Sequence, residues 1–167
     1  RIEFQAEYLG ELKGDPHMYE FTIGADTKLT ASVWQLESEE PFPFSIITVR
    51  QNNQNAGVAE VGRLNSKEII WERNRQSVLG LTFLKSNSFE AEIGPGIYRI
   101  EVSTPDNVGK YMLTVGDNKV SPGFFETLSD VYQVRQFFGK SIFTMFASSY
   151  VYYPLGIIIL SILFYIT

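Results

Sequence analysis

His17 is the only imidazole in the chain, so any Ser-His-Asp triad or histidine proton relay has to be built around it. It stands between Pro16 and Met18, where a turn is expected rather than a catalytic platform. There is no cysteine, which excludes a thiolate nucleophile, a zinc–thiolate site and a disulfide scaffold. Asp15, Asp26, Asp106 and Asp117 are scattered singly at turns, the usual place for aspartate; Asp106, Asn107 and Asp117 form the one grouping from which a calcium site could be drawn. Gly94-x-Gly96 has neither the third glycine nor the following helix that a phosphate cradle requires. Nothing in the spacing favours the paired carboxylates of a glycosidase. The residues therefore predict no catalytic group, no cofactor and no metal, and a protein that is not an enzyme.

Aromatic side chains offer binding instead. Trp34, Trp71, Tyr98 and Tyr111 could form a carbohydrate platform on one face of a sheet, or they could be core. Trp34 falls in the opposite alternation phase from Leu29, Ala31 and Val33, which predicts it on the exposed side. Exposed tryptophans at positions 34 and 71 would serve a protein interface equally well. The formal charge is −5, from 14 basic and 19 acidic residues with no basic stripe, so nucleic acid is not an expected partner. Glu37, Glu39 and Glu40 read as a solvated loop.

The end of the chain has a different character. From Ser141 to Thr167 there is no formal charge. Pro154 to Thr167 alone is too short for a bilayer core of about 30 Å at about 1.5 Å per helical residue. Two versions satisfy the length: a helix that begins near Phe146 and bends at Pro154, or one that begins at Pro154 and continues past Thr167. Tyr150, Tyr152 and Tyr153 suit a membrane interface, where a ring stays apolar while its hydroxyl is hydrated, and so favour the second version, a helix beginning at Pro154.

Just before this run, Phe124, Leu128, Val131, Val134 or Arg135, and Phe138 recur at spacings of three and four, with Phe125, Tyr132 and Phe137 widening the stripe. The pattern predicts an amphipathic helix started by Ser121-Pro122 and stopped by Gly139. Its Phe-rich face is expected in the headgroup region or against a partner subunit, with Glu126, Asp130, Gln133 and Gln136 in water. Packing beneath the head is the alternative. Arg1 in place of Met suggests a processed N-terminus and an exported head, with the apolar run as a stop-transfer segment. Arg135 and Lys140, on the head side of the run, pull the other way under the positive-inside rule.

Upstream, short β-branched and aromatic segments alternate with Gly, Pro, Asn and Asp turns. Strands are expected near residues 3–9, 18–23, 28–36, 44–50, 59–64, 68–73, 78–84, 88–93, 97–103 and 110–115, each with one buried and one wet face, and residues 52–57 form a loop tip. No amphipathic helix interrupts them before residue 120. The fold class is therefore all-β, an antiparallel β-sandwich or jelly roll, followed by an amphipathic helix and one transmembrane helix. The domains are residues 1–117, 118–140 and 141–167.

One stretch carries a family likeness. Gly94-Pro-Gly-Ile-Tyr-Arg-Ile-Glu-Val, followed by Gly109-Lys-Tyr-Met-Leu-Thr-Val-Gly, resembles the closing hairpin of the bacterial pre-peptidase C-terminal (PPC) type β-sandwich, with looser likeness at residues 19–23 and 29–33. The resemblance implies an exported, often non-catalytic accessory domain. Together these readings predict a non-catalytic single-pass membrane protein with an extracytoplasmic head. Its partners are the lipid bilayer and other membrane protein subunits; carbohydrate is the alternative ligand.

Overall fold

The alternating segments build ten strands: β1 (Gln5–Lys13), β2 (His17–Ile23), β3 (Thr27–Leu36), β4 (Ser45–Gln51), β5 (Val58–Leu64), β6 (Glu72–Gln76), β7 (Leu81–Lys85), β8 (Phe89–Ile93), β9 (Gly96–Ser103) and β10 (Val108–Gly116). Two helices follow, α1 (Leu128–Phe137) and α2 (Ser149–Ile166), with a 3-10 segment at Ile142–Ala147 between them. The computed structural model describes residues 5–51, 57–116 and 128–166. The expected loop tip at 52–56 lies outside the described residues. The chain divides into two compact units, Arg1–Arg73 with Leu84–Val120, and Asn74–Phe83 with Ser121–Thr167.

The first unit is an antiparallel jelly roll, and its logic is nested pairing. β4 pairs with β5, β3 with β8, β2 with β9 and β1 with β10, as though one long hairpin had been folded over. Folding closes two sheets. One runs β2-β9-β4-β5; in the other, β10 lies between β1 and β3, with β8 on the opposite edge of β3. The β6–β7 hairpin is an insertion between β5 and β8. Leu29, Ala31 and Val33 of β3 and Tyr111, Leu113 and Val115 of β10 meet Phe21, Ile46, Ile100 and Val102 from the other sheet in one core. Register keeps the phases together, with Val33 opposite Leu113 and Ala31 opposite Val115.

This nesting corrects one expectation. Residues 94–116 do not form a hairpin: β9 pairs with β2 and β4, while β10 pairs with β1 and β3. The reversal between them carries the chain from one sheet to the other. Thr104 makes that corner, its Oγ1 accepting from Val108 N at 2.9 Å while its carbonyl accepts from Asn107 N at 3.0 Å. Asn107 sits at φ 48°, a left-handed conformation that asparagine tolerates.

Two strands start later than the composition suggested. A turn over residues 66–68, in which Glu68 N donates to Asn65 O, is followed by irregular chain at 69–71, so β6 begins at Glu72. Residues 77–80 form the β6–β7 turn, with Gly80 N donating to Ser77 O, and β7 begins at Leu81.

The expectation of one wet face also fails on β3, where Thr30 and Ser32 are buried along with the core phase. Trp34 explains part of this. Its indole lies back along the outer face, with Nε1 3.3 Å from both Ser32 Oγ and Thr114 Oγ1, and those two hydroxyls are 2.6 Å apart. Lys85 Nζ stands 5.1 Å from the ring centroid.

Candidate functional site

The histidine is structural in its surroundings. His17 opens β2 rather than occupying a turn, and its Nδ1 is 2.9 Å from the Tyr111 hydroxyl, which is also 2.7 Å from the Tyr19 hydroxyl. Tyr8 of β1 closes over Tyr19 with ring centroids 4.7 Å apart. Gly10 of β1 makes room for this group, since a Cβ there would overlap the Tyr111 ring. Among the described residues, the only side-chain hydrogen bond of His17 is to a phenol. The cluster ties β2 of one sheet to β10 of the other, and contains neither a nucleophile nor a carboxylate to orient the ring.

Burial does give the two phenols a pH signature. Desolvation raises the Tyr19 hydroxyl above its ordinary value of 10.0. Tyr111 is raised further, by desolvation first and then by its hydrogen bond to Tyr19. Above pH 10 the unfolded chain therefore releases phenolic protons that the folded chain retains, so stability falls as pH rises through that value. Urea midpoints from pH 8 to 11 are expected to drop at the alkaline end. Tyr111→Phe should flatten the decline, and an unchanged slope in that variant would contradict the assignment.

Among the described residues there is no group of three or more potential metal ligands. Asp106 is exposed beside Asn107 in the β9–β10 corner, and Asp117, the third member of the calcium grouping, lies outside the described residues. The aromatic platform does not assemble either. Tyr98 and Tyr111 are 1% and 0% exposed within the core, Trp71 is half-buried against that core, and Trp34 is folded onto the outer face of β3. The four rings therefore share no surface. The polar edges of Tyr98, Tyr111 and Trp34 have hydrogen-bond partners in the chain, Tyr98 Oη donating to Gly94 O at 2.8 Å.

The second unit gathers the remaining predicted residues. In α1, Val131, Val134, Arg135 and Phe138 point inward while Tyr132, Gln133 and Gln136 are exposed, so the helix is amphipathic as its spacing predicts. Its apolar stripe faces protein rather than headgroups. Phe138 meets Phe83 edge-on with centroids 5.3 Å apart, and Phe137, half-buried, meets Phe138 at 5.0 Å. Leu128 is the first residue of α1; Phe124, Phe125 and the expected Ser121-Pro122 start lie outside the described residues. Gly139, at φ 70°, ends the helix as expected. Its N–H bonds Gln136 O and the N–H of Lys140 bonds Arg135 O, both at 2.9 Å, the paired closure of a Schellman cap.

Arg135 is the unforeseen centre of this unit. It is 2% exposed, and its guanidinium donates to Leu79 O in the β6–β7 turn and to Thr144 Oγ1 in the 3-10 segment. No carboxylate pairs with it among the described residues, its Nε has no partner, and desolvation lowers its pKa. It is therefore a strut inside the protein and not a surface charge at the membrane flank. The same turn is held a second time: Ser148 Oγ donates to Val78 O, and Ser149 N donates to Ser77 O at 2.9 Å. Gly80, at φ +64°, lies so close to Ala147 that a Cβ would overlap its carbonyl.

These bonds set where α2 begins. Val151 N and Tyr152 N both donate to Ser148 O at 3.0 Å, so the first helical turn grows from a residue already pinned by the hairpin. The helix starts at Ser149, between the two positions considered from sequence, and passes through Pro154 to Ile166. Its 18 residues have a mean hydropathy of 1.8, and none is buried. It is long and apolar enough to cross a membrane. Tyr150, Tyr152 and Tyr153 are exposed around its first turn, and Phe146 is exposed just before it.

No protein-family model matches the chain, and no curated protein matches it. Sequence reasoning missed the inserted hairpin as a partner of α2. The available signals were small: Gly80 closing a Ser-Val-Leu-Gly turn, and an arginine in the apolar phase of an amphipathic helix.

Proposed function

We propose that this is a single-pass membrane protein with an extracytoplasmic jelly-roll head, and that the head is a non-catalytic accessory or docking subunit of a larger membrane assembly. The observation that carries the reading is α2. From Leu155 to Ile166 its large apolar side chains are between 41% and 93% exposed. Burying each side chain of that kind gains about 1.5–3 kcal/mol, so a helix covered with them calls for an apolar environment. Lipid meets that need over a length of about 27 Å at about 1.5 Å per residue. The three tyrosines then fall at the head-side interface.

The accessory role rests on what the head offers. Its one histidine, its buried tyrosines and its tryptophans are engaged within the fold, leaving strand edges and loops as the surfaces for contact.

The test is extraction and purification of the full chain. It is expected to resist alkaline carbonate, to leave its head open to protease added outside intact cells, and to elute from mild detergent with a fixed stoichiometric partner. Release into buffer would overturn the anchor. A protected head would overturn the sidedness, and a monomer under every detergent condition would overturn the accessory role.

A further inference from the structure

Resting on the reading of α2 as a membrane span, the charges of the second unit identify the lipid it meets. The whole chain carries −5, yet the described residues of the second unit, 74–83 and 128–166, contain Arg75, Arg135 and Lys140 against a single acid, Asp130, with Glu126 just before them in the sequence. Arg135 is withdrawn into the protein. Arg75 and Lys140 are exposed, and neither has an ion-pair partner among the described residues.

Both belong to the unit from which α2 grows. Arg75 lies on β6, two residues before the Ser77–Gly80 turn whose carbonyls bind Ser148 and Ser149. Lys140 follows the Schellman cap of α1 and immediately precedes the uncharged run. The unit that carries the start of the span thus includes two exposed cations and four exposed rings, Phe146, Tyr150, Tyr152 and Tyr153.

We propose that Arg75 and Lys140 form a binding surface for anionic phospholipid headgroups in the leaflet on the head side of α2. Rings position the collar at headgroup depth, and the two cations meet phosphate that carries a net negative charge. The head holds the chain's acidic excess.

The full chain, reconstituted into phosphatidylcholine vesicles carrying trace spin-labelled phosphatidylglycerol or spin-labelled phosphatidylcholine, tests this directly. The wild type is expected to associate preferentially with phosphatidylglycerol, by about fivefold for each cation. That preference should fall towards unity at about 0.5 M salt, where screening is short-ranged. Arg75→Gln with Lys140→Gln should abolish it, Arg75→Glu with Lys140→Glu should invert it, and Lys67→Gln on the head should leave it intact.

Equal association of the wild type with both lipids, or a preference that survives the double variant, overturns the headgroup assignment alone. If alkaline carbonate strips the wild type from the vesicles, the membrane span fails and this inference with it.

Discussion

Replacing Gly80 with alanine is expected to destabilise the second unit by about 3 kcal/mol, because a left-handed backbone and an overlap with another backbone act at the same atom. At φ +64° an L side chain is already strained, and the new Cβ would overlap the carbonyl of Ala147 and crowd Ser148 N. Neither neighbour can rotate aside as a side chain would. Ser148 is held through Val78 O and its carbonyl accepts the first bonds of α2, so a shift there would break the bonds that pin the helix start. Gly139 supplies the control. It has a similar φ of +70°, but nothing lies within 4 Å of its Cβ position. Gly139→Ala should therefore show only the conformational cost, about 1 kcal/mol. Urea unfolding in mild detergent, read by hydrogen exchange at residues 77–80 and 148–152, separates the two. Equal effects would sink the overlap argument.

Arg135→Ala is expected to cost a similar amount, about 3 kcal/mol, by leaving the Leu79 carbonyl and the Thr144 hydroxyl without their donor and by opening a cavity in α1's buried stripe. Arg135→Met should cost less than half of that. It refills the volume and removes a cation that is buried with no carboxylate, whose desolvation opposes folding in the wild type. Arg135→Lys should fall nearer to alanine than to methionine, because a single ammonium cannot reproduce the guanidinium fork that spans two acceptors. The order of the three variants is the result to measure, again by hydrogen exchange in detergent. Lysine as good as arginine would show that charge matters and geometry does not.

Several features were legible without coordinates because they depend on neighbours in the chain. Period-two alternation at Leu29, Ala31 and Val33 and at Tyr111, Leu113 and Val115 marks strands, since successive side chains must leave a strand on opposite faces. Spacings of three and four at Val131, Val134 and Phe138 mark a helix stripe, and Gly139 marks its end. A charge-free apolar run marks a segment suited to lipid. Each signal is local, and each element was found where its signal lay, with ends displaced by turn hydrogen bonds such as Asn65 to Glu68.

What an exposed-looking residue does was not legible. Trp34 reads as outward-facing by alternation, yet its indole N–H lies 3.3 Å from the Ser32 and Thr114 hydroxyls, a contact made only because β3 and β10 pair. Arg135 and Lys140 read alike as flanking charges, and one is a buried strut while the other is free.

By itself the sequence determined an all-β head, a short amphipathic helix, an apolar terminal helix and the absence of cysteine chemistry, because periodicity and composition act over a few residues. Tertiary structure alone decided that β9 and β10 belong to opposite sheets, that the hairpin between β5 and β8 joins the unit of the apolar helix, and that Arg135 is internal. These depend on which distant backbone groups satisfy one another. Leu79 lies 56 positions from Arg135, and Val78 lies 70 from Ser148. Pairings at that separation leave no periodic trace in a single chain.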